Sequence, residues 1–215
     1  MDKLPIYRFV VPEDDNSIGV DAVALVDYPA IEMNWQAFSS QREQETNYNF
    51  KADTEKRIIS GPLMVAELPI YRKDDEGEYY GVFTKMDIFN IVKKFFKNCN
   101  ISQVNMMHDS SLMVSDVYMI ESFIIDSSRG IYAPKGYNLT EGSWFGSFKV
   151  DNDEVWNDYV KTGKFKGFSV EGMFKTVKID KQPQSKIEHI IEIVKNVDST
   201  KVDAIKDILK KANIK

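Results

Sequence analysis

The fold is decided near the start of the chain by the stretch Val20-Asp21-Ala22-Val23-Ala24-Leu25-Val26-Asp27. Side chains of a β-strand alternate between its two faces, so the four even-numbered residues share one apolar face. The four odd-numbered residues share the other face, which carries an aspartate at each end. Pro29 ends the strand, because proline cannot donate a hydrogen bond to a sheet ladder. The stretch therefore predicts a β-strand.

Further strands are predicted along most of the chain. They lie within 6–28 and at 57–67 (broken at Gly61-Pro62), 79–83, 101–107, 114–126, 143–150 and 166–179 (interrupted at Gly172). Two internal helices are predicted between them. Thr84 and Asp87 make a near capping box at the start of the first, and Asn152 or Asp153 caps a short second helix. Many strands with few helices predict an α+β, β-rich fold, an antiparallel β-barrel or sheet with peripheral helices.

Two segments differ from this body in composition. Residues 36–56 are polar and lack periodicity, which predicts a loop or linker. After a short linker near Pro183, Ser185 and Glu188 form a capping box for the first of two helices, which predicts a C-terminal helical hairpin. The predicted organisation is a body at 1–180, with the 36–56 linker within it, and a helical appendage at 181–215.

Composition excludes several classes of function. The chain has 28 Lys and Arg against 33 Asp and Glu, a net charge of −5, which lacks the basic footprint of a nucleic-acid binder. Its one cysteine, Cys99, forms no intramolecular disulfide and no thiolate metal set, which favours a reducing compartment. No stretch approaches the ~20 apolar residues of a membrane span, and no signal-peptide core is present. We expect a soluble intracellular protein that uses no metal or organic cofactor and binds neither nucleic acid nor membrane.

The candidate chemistry rests on one histidine and one serine. His108 ends a strand-like segment just before a turn, and Ser169 lies between Gly167 and Gly172 on a predicted strand. A serine hydroxyl is a poor nucleophile until a neighbouring base takes its proton, and imidazole suits that task near neutral pH. Ser147 is the rival nucleophile. His189 lies among isoleucines of the appended helices and is expected to be structural.

More than one carboxylate could orient His108. Glu121 projects from an otherwise apolar strand face, where an unpaired carboxylate is costly, and Asp21 begins the face that bears Val23. Asp109 adjoins His108, but neighbouring strand side chains diverge, so it is expected to cap a turn. Glu171 shares a strand face with Ser169 and either shapes a substrate cleft or is simply solvated.

Six blocks of the sequence, in order, resemble the phage serine proteases of the XkdF type, relatives of the prohead maturation proteases. The blocks lie at 20–32, 59–62, 107–109, 120–124, 150–156 and 166–172, and include Met107-His108-Asp109 and Lys166-Gly167-Phe168-Ser169-Val170-Glu171-Gly172. The resemblance implies a fold like the herpesvirus assemblin proteases, an antiparallel β-barrel ringed by helices. It implies Ser169 as nucleophile and His108 as base, with Asp21 favoured as the acid and Glu121 as its alternative.

The same resemblance implies a serine endopeptidase that cleaves scaffold and capsid proteins inside the assembling phage prohead, in the host cytoplasm. Its substrates would be the phage scaffold protein and major capsid protein, and a homodimer is plausible by analogy. The alternative is a catalytically inactive head-assembly protein that keeps the protease fold. A hydrolase of small esters is disfavoured by the absence of an α/β pattern.

One departure from the relatives concerns block order. In many prohead proteases a block like Glu-Val-Ser-Leu-Val-Thr-x-Pro-Ala follows the catalytic serine, whereas here the similar stretch 21–30 precedes it. We hypothesise a circular permutation, which is tolerated where chain ends lie close together at the surface. The hypothesis requires strand 20–26 to lie beside strand 166–175.

Overall fold

Strands dominate the structure, a computed structural model that describes residues 4–15, 17–29, 48–75 and 77–179. Within those ranges there are twelve strands and one α-helix. The strands are β1 (Ile6–Val10), β2 (Gly19–Val26), β3 (Lys51–Asp53), β4 (Ile58–Met64), β5 (Ile70–Asp74), β6 (Gly77–Val82), β7 (Val104–Met106), β8 (Asp109–Met113), β9 (Val117–Ile124), β10 (Trp144–Val150), β11 (Gly167–Met173) and β12 (Lys175–Ile179). The helix is α1 (Lys85–Lys97), and a π-helical turn covers Val155–Val160.

These strands form three four-stranded sheets, ordered β12-β1-β6-β5, β3-β4-β10-β9 and β11-β2-β7-β8. None closes into a barrel, and two pairs, β1 with β6 and β2 with β7, are parallel. The predicted antiparallel β-barrel ringed by helices is therefore wrong. The alternation of apolar residues locates strands, but it carries no information on which strands pair or whether the outer ones meet.

Of three local signals in the sequence, the two at helix starts agree with the structure and the strand break predicted at Gly61-Pro62 does not. The capping box of α1 is confirmed, with Thr84 and Asp87 bonded to each other's backbone N–H groups. Asn152 caps the turn at 155–160 by accepting from the Val155 N–H at 2.9 Å. Gly61-Pro62 does not break β4, because β3 pairs with β4 only as far as Ser60. At Pro62 the strand therefore pairs on one side only, where proline is tolerated.

The core forms where α1 packs against the sheets. Ile88, Ile91 and Phe95 of the helix are fully buried, and the Phe95 ring meets that of Trp144 edge to face at 5.2 Å. Lys94 is also buried, and its ammonium donates to the carbonyl oxygens of Pro12, Asp15 and Ile18. Lys94 therefore holds the loop before β2 against the helix.

Two predicted segments fall wholly or partly outside the described residues. The 36–56 linker is described only from residue 48, and that part contains β3 and the buried Tyr48. The C-terminal helical hairpin at 181–215 lies outside the described residues, so the structure gives it no support. The division of the chain at residue 180 stays a prediction. In the described ranges no helix is long and apolar enough to cross a membrane.

The start of α1 depends on an ion pair that reaches it from β1. Asp87 is buried, and Arg8 donates to both of its carboxylate oxygens, at 2.9 and 3.0 Å. Burial alone would raise the pKa of Asp87, but hydrogen bonds from Arg8 and Thr84 outweigh this effect, so the pKa lies below its ordinary value. The carboxylate thus joins the first sheet to the helix in its ionised form.

We predict that Asp87→Asn lowers the free energy of unfolding by about 2 kcal/mol at pH 7, because a charged hydrogen-bond acceptor is lost. Urea unfolding measures this, with the exposed Asp158→Asn as control. A lowered folded-state pKa stabilises the protein above the unfolded-state pKa, about 3.9, and this contribution is lost as pH falls through the folded-state value. The difference between wild type and Asp87→Asn should therefore shrink below about pH 4. Equal stability of the two proteins at pH 7 would contradict the assignment.

Candidate active site

A cleft of about 520 Å³ opens beside β11 and contains both Ser169 and His108. One wall comes from β11 itself, with Ser169, Glu171 and Gly172. The remaining wall is mostly aromatic and aliphatic and includes residues of the first sheet. Its residues are Phe9, Leu63, Met64, Val65, Ile70, Arg72, Tyr79, Phe83, Phe174 and Thr176. A concave, largely apolar pocket with a few polar groups is the usual setting of a binding or catalytic site.

Ser169 lies in the middle of β11 and is 6% exposed. It pairs with Ala24 of β2, which in turn pairs with Asn105 of β7. Paired residues project on the same face, so Ser169, Ala24 and Asn105 form a row across the sheet. Strands lie about 4.8 Å apart, which puts Ser169 and Asn105 about 10 Å apart on either side of an alanine.

His108 occupies a two-residue hairpin between β7 and β8. Met107 and His108 both have positive φ, +55° and +61°, and Met106 pairs with Asp109 across the turn. This is the type I′ geometry, which suits right-handed strand twist but normally takes Asn and Gly. The Met107 N–H donates to the Leu25 carbonyl at 3.0 Å, which fixes the turn against β2. The imidazole is thereby held at the cleft on a strained but anchored turn.

The carboxylate that meets His108 belongs to Glu171. His108 Nδ1 lies 3.0 Å from Glu171 Oε1, and the two side chains are 45% and 26% exposed. In a neutral imidazole, an acceptor at Nδ1 selects the tautomer that carries the proton on Nδ1 and the free lone pair on Nε2. A base oriented in this way by a carboxylate is the arrangement that serine hydrolases use. In the described part of the chain, however, no hydrogen bond joins His108 to Ser169.

Asn105 holds Glu171 from the other side. Its Nδ2 donates to the same Glu171 Oε1 at 2.7 Å, and the asparagine is 1% exposed. The bond crosses β2 diagonally, over Ala22 and Ala24, whose methyl side chains leave the space open. Within the described residues Asn105 Oδ1 is buried without a hydrogen-bond partner. A buried amide oxygen without a partner is costly. The asparagine therefore suggests a specific role, which is to hold Glu171 through its Nδ2.

The acids predicted for His108 lie elsewhere. Asp21 is exposed and is the extra residue of a β-bulge, because Ala22 pairs with Glu171 and Val20 with Gly172. Glu121 is exposed on β9, in a different sheet, and lines a separate depression with Cys99. Neither makes a hydrogen bond to His108 in the described structure, where the carboxylate beside His108 is that of Glu171. The role of Asp21 or Glu121 as the acid stays a prediction that this geometry does not support. The catalytic roles of Ser169 and His108 themselves stay predictions.

A second bulge explains the misleading position of Glu121. Ser147 of β10 pairs with Glu121, whereas Phe148 pairs with Met119, which leaves Ile120 as an extra residue. The alternation of β9 is shifted at Ile120, so Glu121 does not share a face with buried Met119 as the sequence indicated. Its carboxylate is thus solvated and needs no imidazole partner.

The other residues weighed from the sequence have structural partners. Ser147 is buried with its Oγ 2.8 Å from that of Ser60, and it does not line the cleft. Asp109 begins β8 and accepts from the Ser111 hydroxyl and N–H, which lowers its pKa. Gly172 is required by the chain itself, since a Cβ there would lie 1.8 Å from the Gly19 carbonyl oxygen.

Strands β2 and β11 pair antiparallel from Gly19 to Val26, so they are direct neighbours. The condition that the permutation hypothesis sets is therefore met. Comparisons with protein-family models, with curated proteins and with solved structures found no match to this chain.

We predict that Met107→Asn raises the free energy of unfolding by about 1 kcal/mol, because asparagine tolerates the left-handed backbone of a type I′ turn. Little packing is lost, since Met107 is 47% exposed. Thermal and urea unfolding measure the effect. Met113→Asn is the matched control, because Met113 is 45% exposed but lies in an extended strand, and it should not stabilise the protein. A destabilised Met107→Asn protein would contradict the strained-turn interpretation.

Proposed function

We propose that the chain is a serine endopeptidase in which Ser169 is the nucleophile, His108 the general base and Glu171 the carboxylate that orients His108. The observation that carries the proposal is the 3.0 Å contact of Glu171 with His108 Nδ1, at the cleft that also holds Ser169. The contact leaves Nε2 as the basic nitrogen. The chain has only two histidines, and one of them is held by a carboxylate at a cleft that also contains a strand serine. This arrangement fits hydrolysis better than a binding role.

In the proposed reaction, Ser169 Oγ attacks the scissile carbonyl while His108 Nε2 accepts the hydroxyl proton. The imidazolium that forms is stabilised by Glu171, and it then protonates the leaving amine. Water attacks the acyl-enzyme with His108 again as base, and the serine is restored. The hydrogen bond from Asn105 keeps Glu171 in place throughout, so Asn105 is a positioning residue.

The biological setting is supported by the sequence blocks alone. Their resemblance to XkdF-type phage proteases favours cleavage of scaffold protein and major capsid protein during head maturation, within the prohead in the host cytoplasm. The His108 block and the Ser169 block both contribute residues to one cleft, which supports that assignment. A homodimer remains part of this proposal by analogy.

A second candidate function is a catalytically inactive head-assembly protein. It is favoured by the low exposure of Ser169, 6%, and by the lack of a hydrogen bond between Ser169 and His108 in the described structure. Catalytic hydrogen bonds are often long in substrate-free enzymes and shorten when substrate binds, so these observations do not outweigh the His108–Glu171 pair.

We predict that an organofluorophosphonate, which traps activated serines, adds one covalent adduct at Ser169. Ser169→Ala should abolish labelling, and His108→Ala should slow it by at least ~100-fold, because general-base catalysis contributes about that much. Intact and peptide mass spectrometry measure the adduct, and Ser147→Ala is the control that should still react. Labelling of neither wild type nor Ser147→Ala, with the proteins folded, would favour the inactive head-assembly protein.

Co-expression with the scaffold and major capsid proteins of the same phage tests the setting of the reaction. Wild type should shorten one of them and Ser169→Ala should leave both intact, as read by intact mass. Heads that assemble without cleavage in both cases would favour the structural role.

We predict that Glu171→Gln lowers kcat about 100-fold or more and changes KM little, because the amide no longer stabilises the imidazolium. Glu121→Gln and Asp21→Asn are the matched controls and should retain activity, since both carboxylates lie away from His108. Loss of activity in Asp21→Asn together with an active Glu171→Gln would restore Asp21 as the acid.

A further inference from the structure

The cleft contains a second charged group, Arg72, which the proposed reaction does not use. Arg72 lies on β5 opposite Tyr79 of β6, on the face that also carries Ile70. All three side chains line the same cleft as Ser169 and His108. The guanidinium is therefore available to a molecule that occupies the cleft.

Arg72 differs from the other arginines of the described chain in having no acidic partner. Arg8, Arg57 and Arg129 each pair with an aspartate at 2.9 Å or less. For Arg72 the described structure gives one hydrogen bond, from Nη1 to the Tyr71 carbonyl at 3.0 Å. A guanidinium has five N–H donors in a planar fork, so a two-pronged face remains for a planar anion.

Arg72 is partly buried, and no carboxylate of the described residues pairs with it. Phe9, Ile70 and Tyr79 line the same cleft as Arg72, and burial lowers the pKa of the Arg72 guanidinium from its usual value. Glu171, the acid on the opposite wall, is already engaged by His108 and Asn105. A desolvated cation without a carboxylate partner is unfavourable in the free protein, and a carboxylate from outside would relieve that cost.

The geometry points to Arg72 as a specificity-determining residue that binds the carboxylate of an aspartate or glutamate side chain close to the scissile bond. The inference rests on the proposed endopeptidase function and adds the class of peptide that is cleaved. The guanidinium binds the carboxylate through paired N–H···O bonds, while the aromatic wall contacts the stem of the side chain. A substrate glutamine in place of the glutamate would carry no charge and would offer Arg72 only one acceptor oxygen.

The test begins with a synthetic peptide library in which every amino acid occurs at many positions, with cleavage sites read by mass spectrometry. Wild type should enrich Glu or Asp at one position near the cleaved bond. A matched pair of peptides, with Glu or Gln at that position, then gives the ratio of kcat/KM. We expect a ratio of about tenfold or more in wild type, because a hydrogen bond to a charged group is involved.

Three variants separate the outcomes. Arg72→Gln should bring the ratio near one, and Arg72→Glu should favour a lysine peptide instead. Arg57→Gln, which alters a paired arginine, is the control and should keep the wild-type ratio. Urea midpoints show which variants are folded.

Each result has one interpretation. Cleavage by wild type with a ratio near one overturns the role of Arg72 and leaves the endopeptidase standing, whether or not any variant folds. An unchanged ratio in folded Arg72→Gln also overturns it. Equal loss of both peptides in that variant would mean that Arg72 acts on the reaction and not on selection, which again overturns it. No cleavage of any peptide by wild type removes the proposed function and the inference together.

Discussion

The pairing of β2 with β11 on one side and β7 on the other is the constraint on which the candidate site depends. It sets Ser169, Ala24 and Asn105 in one row and brings Glu171 across Ala22. Two alanines at the centre are essential to this geometry, because a longer side chain at either position would fill the path between Glu171 and Asn105. The small residues of β2 thus act as spacers, and the chemistry comes from the strands on either side.

Two backbone contacts fix this sheet close to the candidate site. Gly172 packs against the Gly19 carbonyl where the bulge at Asp21 bends β2, and Met107 donates to the Leu25 carbonyl. These contacts hold His108 on a turn that costs roughly 1–2 kcal/mol for each residue with positive φ. Strain of this kind persists only where the surrounding structure fixes it, and here the fixed group is an imidazole at a cleft.

How much could be predicted from the sequence follows from the range of each interaction. The capping box at Thr84 and Asp87 involves residues three apart and was predicted correctly. The bond from the Val155 N–H to Asn152 also spans three positions, and Asn152 was one of the two caps predicted there. The sheets were not predicted correctly, because pairing partners lie far apart in the chain and the alternation of residues is the same in a barrel and in open sheets. The two bulges, at Asp21 and Ile120, change the faces that the sequence indicated for Asp21 and Glu121, since strict alternation assigns a face to every residue.

The residues that sequence reasoning underrated share one property, which is that their partners come from distant strands. Glu171 was placed on the face of Ser169 by its spacing, but its bond to His108 spans 63 positions and could not be read from that spacing. Asn105 offered a weak signal, a polar residue within an apolar strand, and such a residue requires a hydrogen-bond partner if buried. Arg72 offered none, because an unpaired arginine looks the same in sequence as a paired one.

The charged groups that line the cleft differ in how well their charges are compensated. The Glu171 carboxylate accepts from the Asn105 amide and contacts the His108 imidazole. Arg72 is balanced by nothing comparable among the described residues, so the cleft has one satisfied anion and one unsatisfied cation. A substrate carboxylate would complete this set, and its binding would also exclude water from the apolar wall. Because charge interactions strengthen as water leaves a site, the same event would reinforce the His108–Glu171 pair, so substrate selection and activation of the base would be linked.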